Sequence, residues 1–173
     1  MRTPSFIQLK RTYILNWGFS IITYSHLEDF INQLYINLHV NNPNQLEIAY
    51  LAKRLNLNIH YGKVSLRYGD DLMIKKSTEQ KEWQLFGHEV GHYLRHTGNH
   101  LAMHSLFMDM QEYQATNFAY HFCIPTFMLH EISEFSVYNV MNLFNVEYGF
   151  ASRRLEMYQS KFMGVAENAG AYH

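Results

Sequence analysis

The sequence predicts an α+β fold, mostly helical with one small three-stranded antiparallel sheet, and three observations carry that reading. Apolar residues recur at three- and four-residue steps over most of the 173-residue chain. Between about residues 57 and 76 that period gives way to short β-prone runs separated by glycine. The length suits one hydrophobic core, so a single domain over residues 1–173 is expected.

Each element has its own signal. Ser25 and Glu28 have the spacing of a capping box, and behind them Leu27, Phe30, Ile31, Leu34, Tyr35 and Leu38 form an apolar stripe. Asn42-Pro43-Asn44 breaks that helix, and Leu46, Ile48, Leu51, Ala52 and Leu55 begin another, giving N-terminal helices over about 25–55. Ile59 to Tyr61, Val64 to Tyr68 and Leu72 to Lys75 are the three strands, with turns at Gly62 and at Gly69-Asp70-Asp71. Ser77, with Gln80 three residues on, caps a helix over about 78–96 that Gly98 would stop. The next helix spans about 107–123 and ends before Pro125, which disfavours helical geometry in the residue preceding it. Two shorter patterns, Val137 to Phe144 and Phe150 to Phe162, make a C-terminal segment over about 136–162. The last ten or so residues should fray, and nothing assigns a role to the first forty.

Composition excludes several classes. With 47% apolar and 16% aromatic residues the chain has ample material for a core, which argues against disorder. A formal charge of -1 gives no global field for phosphate backbones or anionic lipid. Residues 12–24 follow Lys10-Arg11 as a signal peptide might be built, but Asn16 and Ser20 interrupt the run and no small-x-small site follows. No stretch has the roughly 18–20 apolar residues that span a bilayer. Cys123 has no second cysteine to bridge, which suits a reducing compartment and a space-filling thiol. A cytoplasmic location with no membrane partner is expected.

The chemistry concentrates in His88-Glu89-Val90-Gly91-His92. Residues four apart on a helix share a face, so both imidazoles can reach one ion, and zinc accepts that arrangement. Glu89 sits about 100° around from His88, where a carboxylate can take a proton from an attacking water and deliver it to a leaving amine. Trp83, Phe86, Val90 and Leu94 form the apolar stripe that anchors this helix. A histidine-rich chain meets the pattern by chance about 0.04 times, so context matters. Here the motif lies in a strongly patterned helix preceded by a strand.

Two histidines leave a labile site, and a third ligand must come from elsewhere. His96 is two turns beyond His88, too far along the helix for one tetrahedral ion. Gly98 stands where the extended metzincin pattern needs a histidine. Glu112, twenty residues after His92 and near the start of the next helix, is better placed to fold back onto the pair.

These segments resemble the ImmA/IrrE family of zinc metallo-endopeptidases, the anti-repressor proteases of phages and mobile elements. The family shows a strand leading to a helix close to HELGHxLLH, matched by Leu72 to Lys75 and by Gly87 to His96, then E-x-x-A-x-x-F-A and a proline, matched by Glu112, Ala115, Phe118, Ala119 and Pro125. Residues 143–155 look like its C-terminal helix-turn-helix-like segment. The resemblance implies a minimal zincin-like core and one Zn2+ per chain held by His88, His92 and Glu112, with Glu89 as the catalytic base. It also implies a helix-turn-helix transcriptional repressor of a phage, mobile element or stress regulon as substrate. The alternative is a zinc-containing regulator that binds a protein or DNA without cutting.

Other residues are candidates for supporting roles. An oxyanion stabiliser or ligand-orienting group could come from Tyr93, His96, Tyr120 or His121, with His100 and His104 also near in sequence. Thr116 or Asn117 could orient a ligand. Gly91 should let another backbone approach the helix closely. Leu72 to Lys75 could be a sheet edge that pairs with a substrate strand. Arg153 and Arg154 alone make a thin basic footprint, so direct DNA binding is not expected.

Overall fold

The computed structural model describes residues 24–95 and 104–170. Helices α1 (His26–Asn37) and α2 (Ile48–Arg54) come first, joined through a 3-10 turn at Pro43–Gln45. Strands β1 (Asn58–Gly62), β2 (Leu66–Tyr68) and β3 (Asp71–Lys75) follow. Then come α3 (Glu79–Arg95), α4 (Ser105–Cys123), α5 (Thr126–Leu129), α6 (Val137–Leu143) and α7 (Tyr148–Gly170). The fold is α+β, mostly helical with one small sheet.

The Ser25 capping box forms as read: Ser25 Oγ accepts from the Glu28 N–H, and the Glu28 carboxylate accepts from the Ser25 N–H. At α3 the cap is shifted by one residue from the expected Ser77. Thr78 Oγ1 accepts from the Lys81 N–H at 3.3 Å, and Glu82 rather than Gln80 reaches back, accepting from the Ser77 N–H at 2.8 Å. Helices α1, α2 and α6 end alike. His39, Asn56 and Asn145 take left-handed backbone (φ 55, 56 and 49), and the next residues, Val40, Leu57 and Val146, donate back to Tyr35, Ala52 and Met141. Those three residues are buried, so each stop also turns the chain into the core.

The sheet differs from the expected antiparallel meander. Its order is β1-β3-β2, with β1 parallel to β3 and β2 antiparallel to it. Strand β3 is therefore central, and Leu72 to Lys75 is not the substrate-accessible edge that the sequence suggested. Leu72 and Ile74 are fully buried on one face of β3, while β1 and β2 are the edges. Burial of that alternating pair, rather than chain proximity, fixes β3 in the middle.

Helices α3 and α4 are the frame of the site. Gly87 faces Ala119 and Cys123, and Gly91 faces Ala115 and Phe118, so the two helices run antiparallel. A Cβ on Gly91 would lie 3.0 Å from Phe118 Cδ1 and 3.2 Å from Ala115 Cα. The absence of side chains at 87 and 91 is what lets the axes approach, as expected for Gly91. Behind them Trp83, Phe86, Val90, Phe118 and Phe122 pack with Tyr35, whose hydroxyl donates to the Phe122 carbonyl at 2.7 Å. Cys123 is buried in the same core.

Candidate metal centre and its cleft

Close contact between α3 and α4 brings the three sequence-predicted ligands together. His88 and His92, one turn apart, point their Nε2 atoms at each other at 3.0 Å. Glu112 spans them, with Oε2 3.2 Å from His88 Nε2 and Oε1 3.2 Å from His92 Nε2. Roughly 3.3 Å is the edge of a tetrahedron whose metal–nitrogen bonds are about 2.0–2.1 Å. Two imidazoles and a carboxylate converging on one point at that spacing are a borderline donor set that fits a divalent cation of the zinc type. The side chains are graded in exposure: His92 8%, His88 21% and Glu112 55%. One face of the triad therefore opens to solvent, as an exchangeable coordination position requires.

Thr116 stands one turn after Glu112 on α4, and its Oγ1 lies 3.4 Å from His88 Nδ1. A partner on that nitrogen fixes the ring's orientation and leaves Nε2 free to serve as ligand. Glu89 is buried beside the triad. Its carboxyl is pushed up to about 7, first by burial and then by the neighbouring Glu112 carboxylate, with Arg67 opposing. A carboxyl in that position can take and return a proton near neutral pH.

The triad opens into a cleft of about 830 Å³. Ser65, Leu66 and Arg67 form one wall, α3 contributes Leu85 and Glu89 to the floor, and Ala119, Tyr120, Gly149 and Phe150 line the far end. Arg67 pairs across the ladder with buried Leu72, so it projects from the sheet face turned towards the core rather than away from it. The start of α7 is fastened to α3 by a Lys81–Glu147 ion pair at 3.6 Å and by the Gln84 amide. Oriented to satisfy both groups, that amide accepts from the Glu147 N–H at 2.8 Å and donates to its carboxylate at 3.1 Å.

The other candidates divide. Tyr120 lines the cleft, its ring 4.4 Å from that of Phe150. Tyr93 does not: its hydroxyl donates to Asp70 in the β2–β3 turn at 3.4 Å. His121 is buried away from the cleft, its Nδ1 3.0 Å from the Asn117 carbonyl, and burial followed by the Arg154 charge holds it down to about 4. His104 caps α4, accepting from the Leu106 N–H at 3.3 Å. His96, His100 and the expected stop at Gly98 lie outside the described residues. Arg154 is 1% exposed and donates to the Ile124 carbonyl and to Thr126. Thr126 in turn donates to Glu28. Arg153 pairs with Glu156. The C-terminal arginines thus serve the interior and a local surface pair.

Sequence reasoning missed Arg67, Glu147, Gly149 and Phe150 as cleft residues. Strand alternation could not have found Arg67, since the residues two positions away are Ser65 and Gly69 and its facing comes only from its pairing with Leu72 of β3. The others reach the cleft through the packing of α7, which no local pattern encodes.

Comparisons with known proteins agree with this geometry. A family model described as Peptidase_M78, IrrE N-terminal-like domain, matches residues 55–156. The chain is 34% identical over 152 residues to the phage-like element PBSX protein XkdA of Bacillus subtilis (strain 168), covering 82% of this chain and 77% of that protein. It is 33% identical over 150 residues to the uncharacterized protein YqaB of the same organism, covering 80% and 87% respectively. Among the described residues no helix is long and apolar enough to cross a membrane. A match that takes in α3, α4 and the whole sheet, with relatives alike along most of their length, means that the chain belongs to the Peptidase_M78 family and shares its metallopeptidase-type fold.

Proposed function

We propose that this protein is a zinc-dependent endopeptidase of the HExxH type that acts in the cytoplasm on a helix-turn-helix transcriptional repressor. The observation that carries the reading is the convergence of His88, His92 and Glu112, whose ligand atoms all lie within 4.8 Å of one another, at the floor of an open cleft beside buried Glu89. His88, His92 and Glu112 would hold one Zn2+ per chain. When bound, zinc supplies a Lewis acid that polarises the scissile carbonyl and acidifies water.

The chain's own residues do the rest. Glu89 accepts the proton of the attacking water at its carboxylate and returns it to the leaving amine nitrogen. Thr116 holds the His88 ring through Nδ1. Tyr120, two turns beyond Glu112 on α4, lines the cleft, and its hydroxyl would serve as the donor to the developing oxyanion. The repressor as substrate is supported by the sequence resemblance and by a relative named for a phage-like element.

Glu89→Gln tests the proposal, because it removes the base while keeping volume and leaving the triad untouched. The variant should retain zinc and fold, yet lose cleavage of a co-expressed helix-turn-helix repressor, scored by immunoblot. Cleavage at the wild-type rate by the variant would remove Glu89 from the mechanism. Zinc-loaded wild-type protein that binds the repressor without cutting it would point to the non-catalytic regulator instead.

A further inference from the structure

Ser65 and Arg67 form part of the cleft wall on the side of the sheet. They alternate, half-buried, with exposed Leu66 and Tyr68, so the two share one face of the chain and that face is the cleft side. We infer that Arg67, with Ser65 beside it, recognises a carboxylate of the substrate within two residues of the scissile bond. The inference rests on the peptidase reading above and adds to it an acidic substrate class.

The charges of the cleft are unequally matched. Lys81 pairs with Glu147 at 3.6 Å, and Glu147 also takes the Gln84 amide. Glu112 bridges His88 and His92. Arg67 is the cation left over. Among the described residues no carboxylate comes within 4.0 Å of its guanidinium, and its hydrogen bond to the Gly69 carbonyl, in its own turn, is long at 3.4 Å. A guanidinium carries its N–H donors in a planar fork that matches a carboxylate two bonds at a time, so most of that capacity remains for an incoming group. Ser65 adds a donor. Its Oγ accepts the Lys75 N–H at 3.0 Å, which leaves the hydroxyl proton to give.

Position narrows the choice of residue. The Arg67 charge is close enough to act on Glu89, the neighbour of His88, without pairing with it. Successive residues of an extended peptide are about 3.4 Å apart, so a peptide with its carbonyl at the triad brings a side chain one or two residues away to Arg67, and residues farther along pass beyond it. A substrate Lys or Arg here would be repelled. An amide would make only neutral hydrogen bonds, where a carboxylate makes the shorter and stronger charge-assisted kind. Two groups carry that chemistry: an Asp or Glu side chain within a protein, and the α-carboxylate of a chain end.

The test uses the zinc-loaded full chain and calorimetry with two sets of short peptide hydroxamates, the zinc-binding group placed before the peptide in one set and after it in the other. Each set carries Glu or Gln at the first or second residue from that group, with the far end blocked. A further Gln compound with a free C-terminal carboxylate in place of the block represents the chain end. In at least one set wild-type protein should bind a Glu compound about tenfold more tightly than its Gln partner, the factor that one charge-assisted pair supports. In Arg67→Gln the ratio should fall to about one, with zinc stoichiometry and circular dichroism kept. Arg67→Lys, which keeps the charge and loses the fork, should fall between. A preference for the free-carboxylate compound over the Glu compounds, lost in Arg67→Gln, would support the site and identify the chain end as its ligand. Equal binding of all the compounds by wild-type protein, or ratios unchanged in Arg67→Gln, would overturn the carboxylate site while leaving the peptidase reading in place. Failure of every hydroxamate to bind the zinc-loaded chain would overturn the peptidase reading and the carboxylate site with it.

Discussion

Gly91 tests whether the approach of α3 to α4 sets the metal geometry. In Gly91→Ala the new methyl would sit 3.0 and 3.1 Å from Phe118 side-chain carbons and 3.2 Å from Ala115 Cα. All three contacts are too tight for an ordinary packed carbon, and one is backbone, so relief requires the axes to separate by a few tenths of an ångström. Overpacking of this kind costs about 1–3 kcal/mol, against which alanine returns about 1 kcal/mol of helix propensity. A net loss of about 0–2 kcal/mol is expected in urea denaturation of the chelator-treated protein. The sharper effect falls on the metal. Glu112 rides on α4 and both histidines on α3, so separation widens the two 3.2 Å edges of the triad together. Zinc affinity, read by competition with a chromophoric chelator, should fall by about tenfold, the lower end of what misplaced supporting residues cost at such sites. Gly149→Ala is the matched control. Its methyl meets nothing, and it should stabilise by about 0.5 kcal/mol through the unfolded chain. Wild-type zinc affinity and stability in Gly91→Ala would refute the argument that this close contact positions Glu112.

Two further predictions follow from named contacts. Thr116→Val removes the partner of His88 Nδ1 at nearly constant volume and should weaken zinc by about tenfold in the same competition, with Thr116→Ser restoring most of it. Equal affinity in the valine variant would show that the 3.4 Å contact orients nothing. Acid should destabilise the fold in two overlapping stages, followed by denaturant midpoints from pH 7 to pH 2. Burial and the Arg154 charge hold His121 down to about 4, so the unfolded chain takes up that proton first, and stability declines from about pH 6.5 towards 4. For Glu28, burial would raise the carboxyl, but hydrogen bonds from Lys161, the Ser25 N–H and Thr126 outweigh it and hold it at about 2. Its contribution, about 3 kcal/mol, is fully present above about pH 4.5 and is lost as pH falls through 2. Glu28→Gln should flatten the lower stage and leave the upper one, and an unaltered acid profile in that variant would remove Glu28 from the account.

The parts of the site that lie within one helix were legible because a single spacing encodes them. His88, Glu89 and His92 need only the 3.6-residue turn, and the apolar stripe through Trp83, Phe86 and Val90 says which side of that helix is buried. Glu112 could be read because it lies in the first half of the following helix and had no rival with workable geometry. What the sequence did not disclose depends on contacts between distant segments. Parallel pairing of β1 with β3 passes over the intervening β2, so neighbouring strands gave the wrong sheet order. Tyr93 and His121 are near the motif in sequence but turn to Asp70 and to the interior. Arg154 has the look of a surface cation until Ile124, Thr126 and Glu28 surround it. Phe150 and Gly149 reach the cleft only because Gln84 and Lys81 dock the start of α7.

Zinc-edge X-ray absorption on the purified full chain, with Glu112→Ala and His92→Ala beside it, addresses the metal directly. The wild-type protein should carry one zinc with nitrogen and oxygen neighbours at about 2.0–2.1 Å and outer-shell scattering from two imidazoles. His92→Ala should show one imidazole at most, and Glu112→Ala should lose zinc on mild dialysis. A sulfur neighbour from Cys123, or zinc content and spectrum unchanged in both variants, would place the ion elsewhere and contradict the assignment of His88, His92 and Glu112.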